Sequence, residues 1–243
     1  MQIRIFPNPD ALAIGAAEYI HTLAEACIAD HGHFSLVLSG GSTPMHTYRQ
    51  LVNQNHKQDL DWTKVQIFWG DERCVPPDHA QSNYRMAREA FFEHVPIPSE
   101  NIHRMACEDD PAAGAEAYEG MLREQFPTGE LPQFDLVLLG LGDDGHTASL
   151  FPGTEILEEQ ERWVAPIFVR HLESWRISLT FPVLNASTQT AFLVSGESKA
   201  RIIQEILGTS AMDPLHPAQR IRPLQKLIWF LDHAAGSLLD PVD

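Results

Sequence analysis

Cysteine is scarce in this sequence and forms no recognisable pattern. The three cysteines of the 243 residues, Cys27, Cys74 and Cys107, lie far apart and include no C-x-x-C pair. Such a pair marks many zinc and thiol redox sites. We therefore expect three buried or incidental thiols, and no zinc or redox chemistry based on cysteine.

Basic residues are also few. The chain has 17 Lys and Arg against 33 Asp and Glu, a formal net charge of -16. Nucleic acids are bound by concentrated Lys and Arg, so this composition argues against a nucleic-acid partner. A small anionic ligand needs only a few basic side chains at one site, which makes the individual arginines informative.

Long apolar runs are missing as well. No continuous apolar stretch reaches the roughly 18 residues of a membrane span. The first seven residues, MQIRIFP, lack the charged start and apolar stretch of a secretory signal. We expect a cytoplasmic protein without membrane contact, and no feature indicates an obligate protein partner.

Short β-branched and aliphatic runs alternate with segments of helical periodicity. This order is typical of an α/β fold with a mainly parallel sheet flanked by helices on both faces. The predicted strands are residues 3–6, 34–38, 65–69, 134–139, 164–169, 176–180, 190–194 and 227–231. The predicted helices cover residues 9–32, 82–92, 111–124 and 198–207, and a further helix begins at Pro44.

The chain shows no repeat, low-complexity tract or dividing linker. A length of 243 residues suits one α/β unit, so we expect a single domain over residues 1–243. Residues 208–222, with two prolines and scattered charge, are predicted to be a surface connection.

In open α/β sheets ligands bind beyond the carboxyl ends of the strands, so the residues after each strand are the candidates for chemistry. The loop after strand 34–38 contains Ser39, Gly40, Gly41, Ser42 and Thr43. Its backbone N–H groups and the following helix N-terminus are suited to hold a phosphate. Gly-Gly turns are common, and a plain turn remains an equal alternative.

Two other strand ends carry charged groups. Asp71, Glu72 and Arg73 follow strand 65–69, where a solvated loop is the default interpretation. Arg176 opens a strand and Lys199 opens a helix; each alone fits an ordinary surface charge. Together they offer a guanidinium and an ammonium group for a phosphate.

The loop of residues 140–149 is the strongest candidate for catalysis. It follows the most hydrophobic strand and contains Asp143, Asp144 and His146 with three glycines. A histidine near its ordinary pKa is suited to take a proton from water, and a neighbouring aspartate can orient its ring. A metal site on these three residues and a simple capping loop are the alternatives. No second His or Cys cluster supports the metal.

Other conspicuous residues have ordinary explanations. His21, His31, His33 and His56 fall on helices or loops without evident partners, which predicts solvated or locally hydrogen-bonded rings. Trp229 and Phe230 lie in an apolar strand and are expected in the core.

Five segments then identify a resemblance. They are LSGGSTP (38–44), GDERCVPPDHAQSN (70–83), GLGDDGHTASLFP (140–152), RISLTFPVLN (176–185) and GESKA (196–200). In this order they resemble the 6-phosphogluconolactonase branch of the glucosamine-6-phosphate isomerase/6-phosphogluconolactonase family, over almost the whole chain. The DGHTASLFP stretch is the most specific of them.

The resemblance implies a Rossmann-like fold that hydrolyses a phosphorylated sugar lactone without metal or nucleotide cofactor. It implies that His146 is the general base and that Asp144 supports it. The implied phosphate and substrate-binding residues are Ser39, Gly40, Gly41, Ser42, Thr43, Arg176 and Lys199, with Arg73 and Asn83 as a wall of the pocket. Backbone N–H groups after Leu139 and the Arg73 side chain both remain candidates to stabilise the oxyanion.

Two other functions stay open. The deaminase branch of the family carries an acid in a following N-E-P, where this chain has Leu150, Phe151 and Pro152. A non-catalytic sugar-phosphate sensor would keep the phosphate-binding groups without needing His146. One departure concerns the pocket edge, where the resemblance leads us to expect a proline before Arg176 and the chain has Trp175.

Overall fold

The computed structural model describes residues 1–53, 60–127, 129–208 and 215–239. Its strands are β1 (Gln2–Phe6), β2 (Phe34–Leu38), β3 (Val65–Trp69), β4 (Asp71–Arg73), β5 (Leu136–Leu139), β6 (Val164–Val169), β7 (Ser174–Leu179), β8 (Gln189–Val194) and β9 (Lys226–Asp232). Its α-helices are α1 (Pro9–His31), α2 (Ser42–Leu51), α3 (Asn83–Ala87), α4 (Pro111–Gln125), α5 (Phe181–Asn185) and α6 (Ala200–Leu207).

Six strands form one parallel sheet in the order β1-β9-β8-β5-β2-β3. Every residue of β2 and β5 is buried. Strands buried on both faces read as continuous apolar runs, and this is why the sequence pattern marked them. The predicted α/β fold with a mainly parallel sheet flanked by helices is confirmed.

Helix α1 has clear signals at both ends. The Asn8 side chain accepts a hydrogen bond from the Ala11 N–H, Pro9 opens the first turn, and Gly32 ends the helix at φ 88°. The sequence has no uninterrupted apolar run of membrane-spanning length. By length and composition alone, however, α1 is long and apolar enough to cross a membrane. In the fold it packs against α2 and β9 and buries residues such as Leu12 and Ala16.

A second, antiparallel sheet has the order β4-β7-β6. The prediction of a solvated loop at Asp71, Glu72 and Arg73 was wrong. These residues form the short strand β4, in which Asp71 pairs with Ser178 of β7. Asp71 and Glu72 are only 5% and 3% exposed. Three charged residues give no strand pattern in the sequence, and only their tertiary partners make this burial tolerable.

The expectation of three incidental thiols was wrong for two of them. Cys74 and Cys107 form a disulfide whose Cα atoms are 4.7 Å apart, across 33 residues of chain. The bond joins the end of β4 to the segment before α4. Cysteine spacing does not reveal such a pair, since proximity is set by the fold. Cys27 remains a free thiol.

The predicted surface connection over residues 208–222 was wrong for its described part. Residues 209–214 lie outside the described residues. Pro217–Arg220 forms a 3-10 turn, and Ala218 and Ile221 are fully buried. The Ala218 N–H donates to the Gly145 carbonyl, so this segment covers the 140–149 loop.

Several smaller expectations changed. The predicted helix 82–92 is α3 followed by a π-helical turn, Arg88–Phe92. Strand β5 is shorter than the predicted 134–139. Trp229 and Phe230 lie in the core as predicted.

The prediction of solvated or locally hydrogen-bonded histidines agrees with the contact of His21 with Glu25 one turn away and of His31 with the nearby His33. His31 departs from it, because this ring also contacts the distant Asp135. His56 lies outside the described residues.

Candidate active site

A cavity of about 250 Å³ lies at the carboxyl ends of β2, β3 and β5. We call it the strand-end cavity. Of the residues predicted from the sequence, its lining includes Ser39, Gly40, Gly41, Arg73, Asn83, His146 and Arg176. These residues come from distant parts of the chain and meet because parallel strands end at the same edge of a sheet.

The loop between β2 and α2 is held by its neighbours. Tyr48 Oη accepts from the Ser39 N–H at 2.9 Å and donates to the Ser39 carbonyl at 2.8 Å. A Cβ atom on Gly40 would lie 2.1 Å from Asn83 Oδ1, and Gly41 has φ 109°, so both positions require glycine. No side chain caps the N-terminus of α2 within the described chain. Its first N–H groups therefore suit an anion.

A buried carboxylate fixes one wall of the cavity. Glu72 accepts hydrogen bonds from the backbone N–H groups of Arg73, Asn83 and Tyr84 at 2.7–2.8 Å. Burial raises the pKa of Glu72, and these N–H donors work in the opposite direction. Asn83 Nδ2 in turn donates to the Asp71 carbonyl at 2.9 Å. Arg73 and Asn83 are thereby set in place together.

Two guanidinium groups face the cavity with incomplete hydrogen bonding. Nε of Arg73 and Nε of Arg176 are buried, and each is without a hydrogen-bond partner in the part of the chain described. Arg176 Nη1 lies 3.9 Å from Asp71 Oδ2, and Asp71 also accepts from Ser149 Oγ. Burial lowers the pKa of Arg176, while Asp71 opposes that change. Since an unsatisfied buried donor costs about 1–3 kcal/mol, an anionic ligand that accepts these N–H bonds is favoured.

His146 and Asp144 form a tight pair. His146 Nδ1 lies 2.6 Å from Asp144 Oδ1, and the His146 backbone N–H donates to the same oxygen at 3.1 Å. Burial alone would raise the pKa of Asp144, but the hydrogen bonds and charge of His146 bring it below its ordinary value. An ionised carboxylate only accepts, so Nδ1 carries a proton in this contact, and in the neutral ring Nε2 then keeps its lone pair. The ring stacks on Phe151 with centroids 4.0 Å apart.

Glycines in the 140–149 loop leave room for this pair. A Cβ on Gly142 would lie 2.0 Å from His146 Nδ1, and the Gly142 N–H donates to the His146 carbonyl at 2.9 Å. Gly145 has φ 78°, and a Cβ there would lie 2.6 Å from His216. The sequence GDDGH (142–146) therefore needs both glycines to bring the imidazole back onto Asp144.

Other predicted residues lie near the cavity but not in its lining. Thr43 Oγ1 is hydrogen-bonded to Ser195 Oγ at 2.7 Å in the first turn of α2, and Ser42 opens that turn. Lys199 Nζ lies 2.5 Å from Asp143 Oδ1, so Lys199 pairs with the 140–149 loop. Asp144 is linked to the strand-end cavity by its contact with His146, which lines that cavity.

Sequence reasoning gave no role in the site to two residues that the structure places there. Asp71 lines the cavity and balances Arg176, although as part of a charged run it looked solvated. Phe151 was noted only for lacking an acid, yet it supports the His146 ring on one face and contacts Arg176 at 5.4 Å. The signal for Phe151 was its place in the DGHTASLFP segment.

One edge of the site contains Trp175, where the resemblance led us to expect a proline. Its side chain is 48% exposed and packs on Phe168 with ring centroids 5.3 Å apart. Trp175, Asp144 and Phe151 line a second, open cavity of about 720 Å³ beside the first. Where a proline was expected, an aromatic ring shapes this edge.

We predict that Gly142→Ala displaces the His146 ring without unfolding the chain, because the new methyl group would occupy the position of Nδ1. Nitrogen-15 NMR of the imidazole should show loss of the proton bound between Nδ1 and Asp144. Gly120→Ala is the matched control, since nothing lies within 4 Å of a Cβ there. An unchanged His146 signal in Gly142→Ala would contradict the assignment of this glycine.

Comparison with known proteins shows relatives over nearly the full chain. A family model described as glucosamine-6-phosphate isomerases/6-phosphogluconolactonase matches residues 7–229. The chain is 40% identical to a 6-phosphogluconolactonase of Nostoc sp., over 98% of each chain. It is 41% identical to that of Synechocystis sp., over 99% of each.

A solved structure shows the same architecture. The solved structure of 6-phosphogluconolactonase from Trypanosoma brucei superposes with a TM-score of 0.84 at 28% identity, covering 98% of both chains. The chain belongs to the glucosamine-6-phosphate isomerase/6-phosphogluconolactonase family.

Proposed function

We propose that this protein hydrolyses 6-phospho-D-glucono-1,5-lactone to 6-phospho-D-gluconate, the second step of the oxidative pentose phosphate pathway. The observation that carries the proposal is the Asp144–His146 pair beside Arg73 and Arg176, whose buried Nε atoms have no hydrogen-bond partner among the described residues. The relatives named 6-phosphogluconolactonase match nearly the full chain. We further propose a single cytoplasmic domain that uses no cofactor.

The attacking nucleophile is water. His146 Nε2 takes its proton as the oxygen adds to the lactone carbonyl, and Asp144 holds the ring and stabilises the imidazolium. The tetrahedral intermediate then breaks the bond between C1 and the ring oxygen. That oxygen leaves as a hydroxyl by taking the proton back from His146. The net change is one water added and one ring opened.

Arg73 is the favoured donor to the developing oxyanion. Two backbone candidates are already engaged, because the Gly140 N–H donates to Ser39 Oγ and the Gly142 N–H to the His146 carbonyl. Arg73 lines the cavity and Glu72 fixes its backbone, while its Nη1 donates to the Gln81 carbonyl. Its buried Nε has no hydrogen-bond partner among the described residues, so a small shift of the side chain toward the oxyanion would satisfy this donor.

The phosphate is assigned to the uncapped N-terminus of α2, Arg176 and Lys199. The α2 N–H groups and Arg176 offer fixed donors, and Asp71 keeps Arg176 in position. Lys199 is paired with Asp143 and has to exchange that partner for phosphate. The binding energy of the phosphate is then used to hold the lactone carbonyl near His146.

The deaminase alternative is less well supported. An acid is expected where this chain has Phe151, and that ring is stacked on His146. A phenyl group cannot transfer the protons of a ring-opening isomerisation. A sensor would not need the Asp144–His146 pair, so the geometry favours catalysis over binding alone.

The function is tested by comparing hydrolysis of the phosphorylated lactone with that of glucono-1,5-lactone, above the spontaneous rates and with and without a chelator. We expect fast hydrolysis of the phosphorylated lactone alone, unaffected by the chelator. No acceleration of either lactone would refute the proposal; release of ammonia from glucosamine 6-phosphate would then support the deaminase.

His146→Ala should lower kcat by at least about 100-fold, the usual contribution of a positioned general base. Circular dichroism should show an intact fold, since the side chain is partly exposed. The exposed His94→Ala serves as control. If His146→Ala retains near wild-type turnover, His146 is not the base.

Arg176→Ala should raise KM for the phosphorylated lactone by tenfold or more, about 1.4 kcal/mol of binding, with a smaller change in kcat. Arg201→Ala is the matched control, because its side chain is 87% exposed on α6. An unchanged KM in Arg176→Ala would remove Arg176 from the phosphate site.

A further inference from the structure

A second group of chemically active side chains lies at the opposite edge of the sheet. Asp135 immediately precedes β5, whereas the catalytic loop follows it, so about 16 Å of extended strand separates the two. Cys27 and His31 lie one turn apart near the C-terminal end of α1 and approach Asp135. One donor atom from each of the three side chains lies within 4.8 Å of the others.

The three side chains already interact through the carboxylate. His31 Nε2 lies 3.1 Å from Asp135 Oδ1. The Cys27 thiol is hydrogen-bonded to Asp135, and burial followed by the charge of Asp135 raises the pKa of Cys27 to about 12. A thiol proton and an imidazole nitrogen therefore meet at one carboxylate.

The neighbours of this group hold its donors in position. The other carboxylate oxygen, Asp135 Oδ2, accepts from the Ser35 N–H at 2.8 Å and from Ser35 Oγ at 2.7 Å. The second ring nitrogen of His31, Nδ1, lies 3.4 Å from His33 Nδ1. Metal-binding imidazoles and carboxylates are commonly oriented in this way by hydrogen bonds to their remaining atoms.

We propose that Cys27 Sγ, His31 Nε2 and Asp135 Oδ1 bind a zinc ion, with the fourth position open to solvent. Thiolate, imidazole and carboxylate together suit Zn²⁺, whereas Mg²⁺ and Ca²⁺ prefer oxygen donors alone. On binding, the Zn–S bond forms as the Cys27 S–H bond breaks, and the proton is released to solvent. No electron is transferred.

The location indicates a structural role for this zinc ion. It joins the end of α1 to the start of β5 and, through Ser35, to β2. An ion that binds only the folded chain stabilises it, by an amount that grows with the logarithm of the ratio of free ion to Kd. With three protein ligands and exposed His31, the ion is exchangeable rather than enclosed.

Cobalt is the most direct probe, because a thiolate bound to Co²⁺ gives a charge-transfer band in the ultraviolet. The full chain is stripped with a chelator, desalted without reductant so that Cys74 and Cys107 stay paired, and titrated with Co²⁺ or Zn²⁺ alone. We expect one ion per chain, the thiolate band, and a higher melting temperature with Zn²⁺.

Variants assign the ligands. Cys27→Ser and His31→Gln should each weaken binding by at least about tenfold, and Cys27→Ser should abolish the thiolate band. Ser35→Ala, which removes only a support of Asp135, should weaken binding by about 10–100-fold. His94→Gln is the control for a distant exposed histidine. His146→Gln should retain the band, which separates this site from the strand-end cavity.

Two results would overturn the proposal. One is Co²⁺ uptake without a thiolate band; the other is unchanged affinity in Cys27→Ser. If Cys27→Ser fails to fold, alkylation of Cys27 in the native chain decides the question. Zn²⁺ should slow that reaction at least tenfold, and an unchanged rate would exclude Cys27 as a ligand.

Discussion

The complete burial of the central strands is the constraint on which the rest of the structure depends. Strands β2 and β5 bury every residue, so they can contain only apolar side chains and polar groups whose hydrogen bonds are satisfied, such as Ser35. Ionisable side chains therefore gather where these strands end. The 140–149 loop and the α2 N-terminus lie at one edge, and the Cys27, His31 and Asp135 group lies at the other.

At the strand-end cavity a strongly acidic chain concentrates positive charge. The net charge of -16 disfavours an anionic ligand at long range. At short range, partly buried Arg73, buried Arg176 and the N-terminus of α2 reverse this preference. Asp71 makes the burial of Arg176 tolerable while leaving its Nε for a ligand. Local geometry therefore outweighs the overall field.

Steric limits at Gly142 set the geometry of the Asp144–His146 pair. Gly142 has no Cβ, so the His146 ring can lie against Asp144, and Phe151 supports the ring from one face. The carboxylate then determines which ring nitrogen carries the proton. Each of these three contacts joins residues that are close together in the sequence. This explains why the segment was recognisable from the sequence.

The sequence by itself determined the elements that rest on local or periodic signals. Apolar runs marked the parallel strands, Asn8 and Gly32 marked the ends of α1, and the DGHTASLFP segment placed His146 close to Asp144. Only the tertiary structure decided the disulfide between Cys74 and Cys107, the burial of Asp71 and Glu72, and the approach of His31 to Asp135. These contacts join residues far apart in the chain, and no local pattern records them, because their energy depends on which groups the folded sheet brings together.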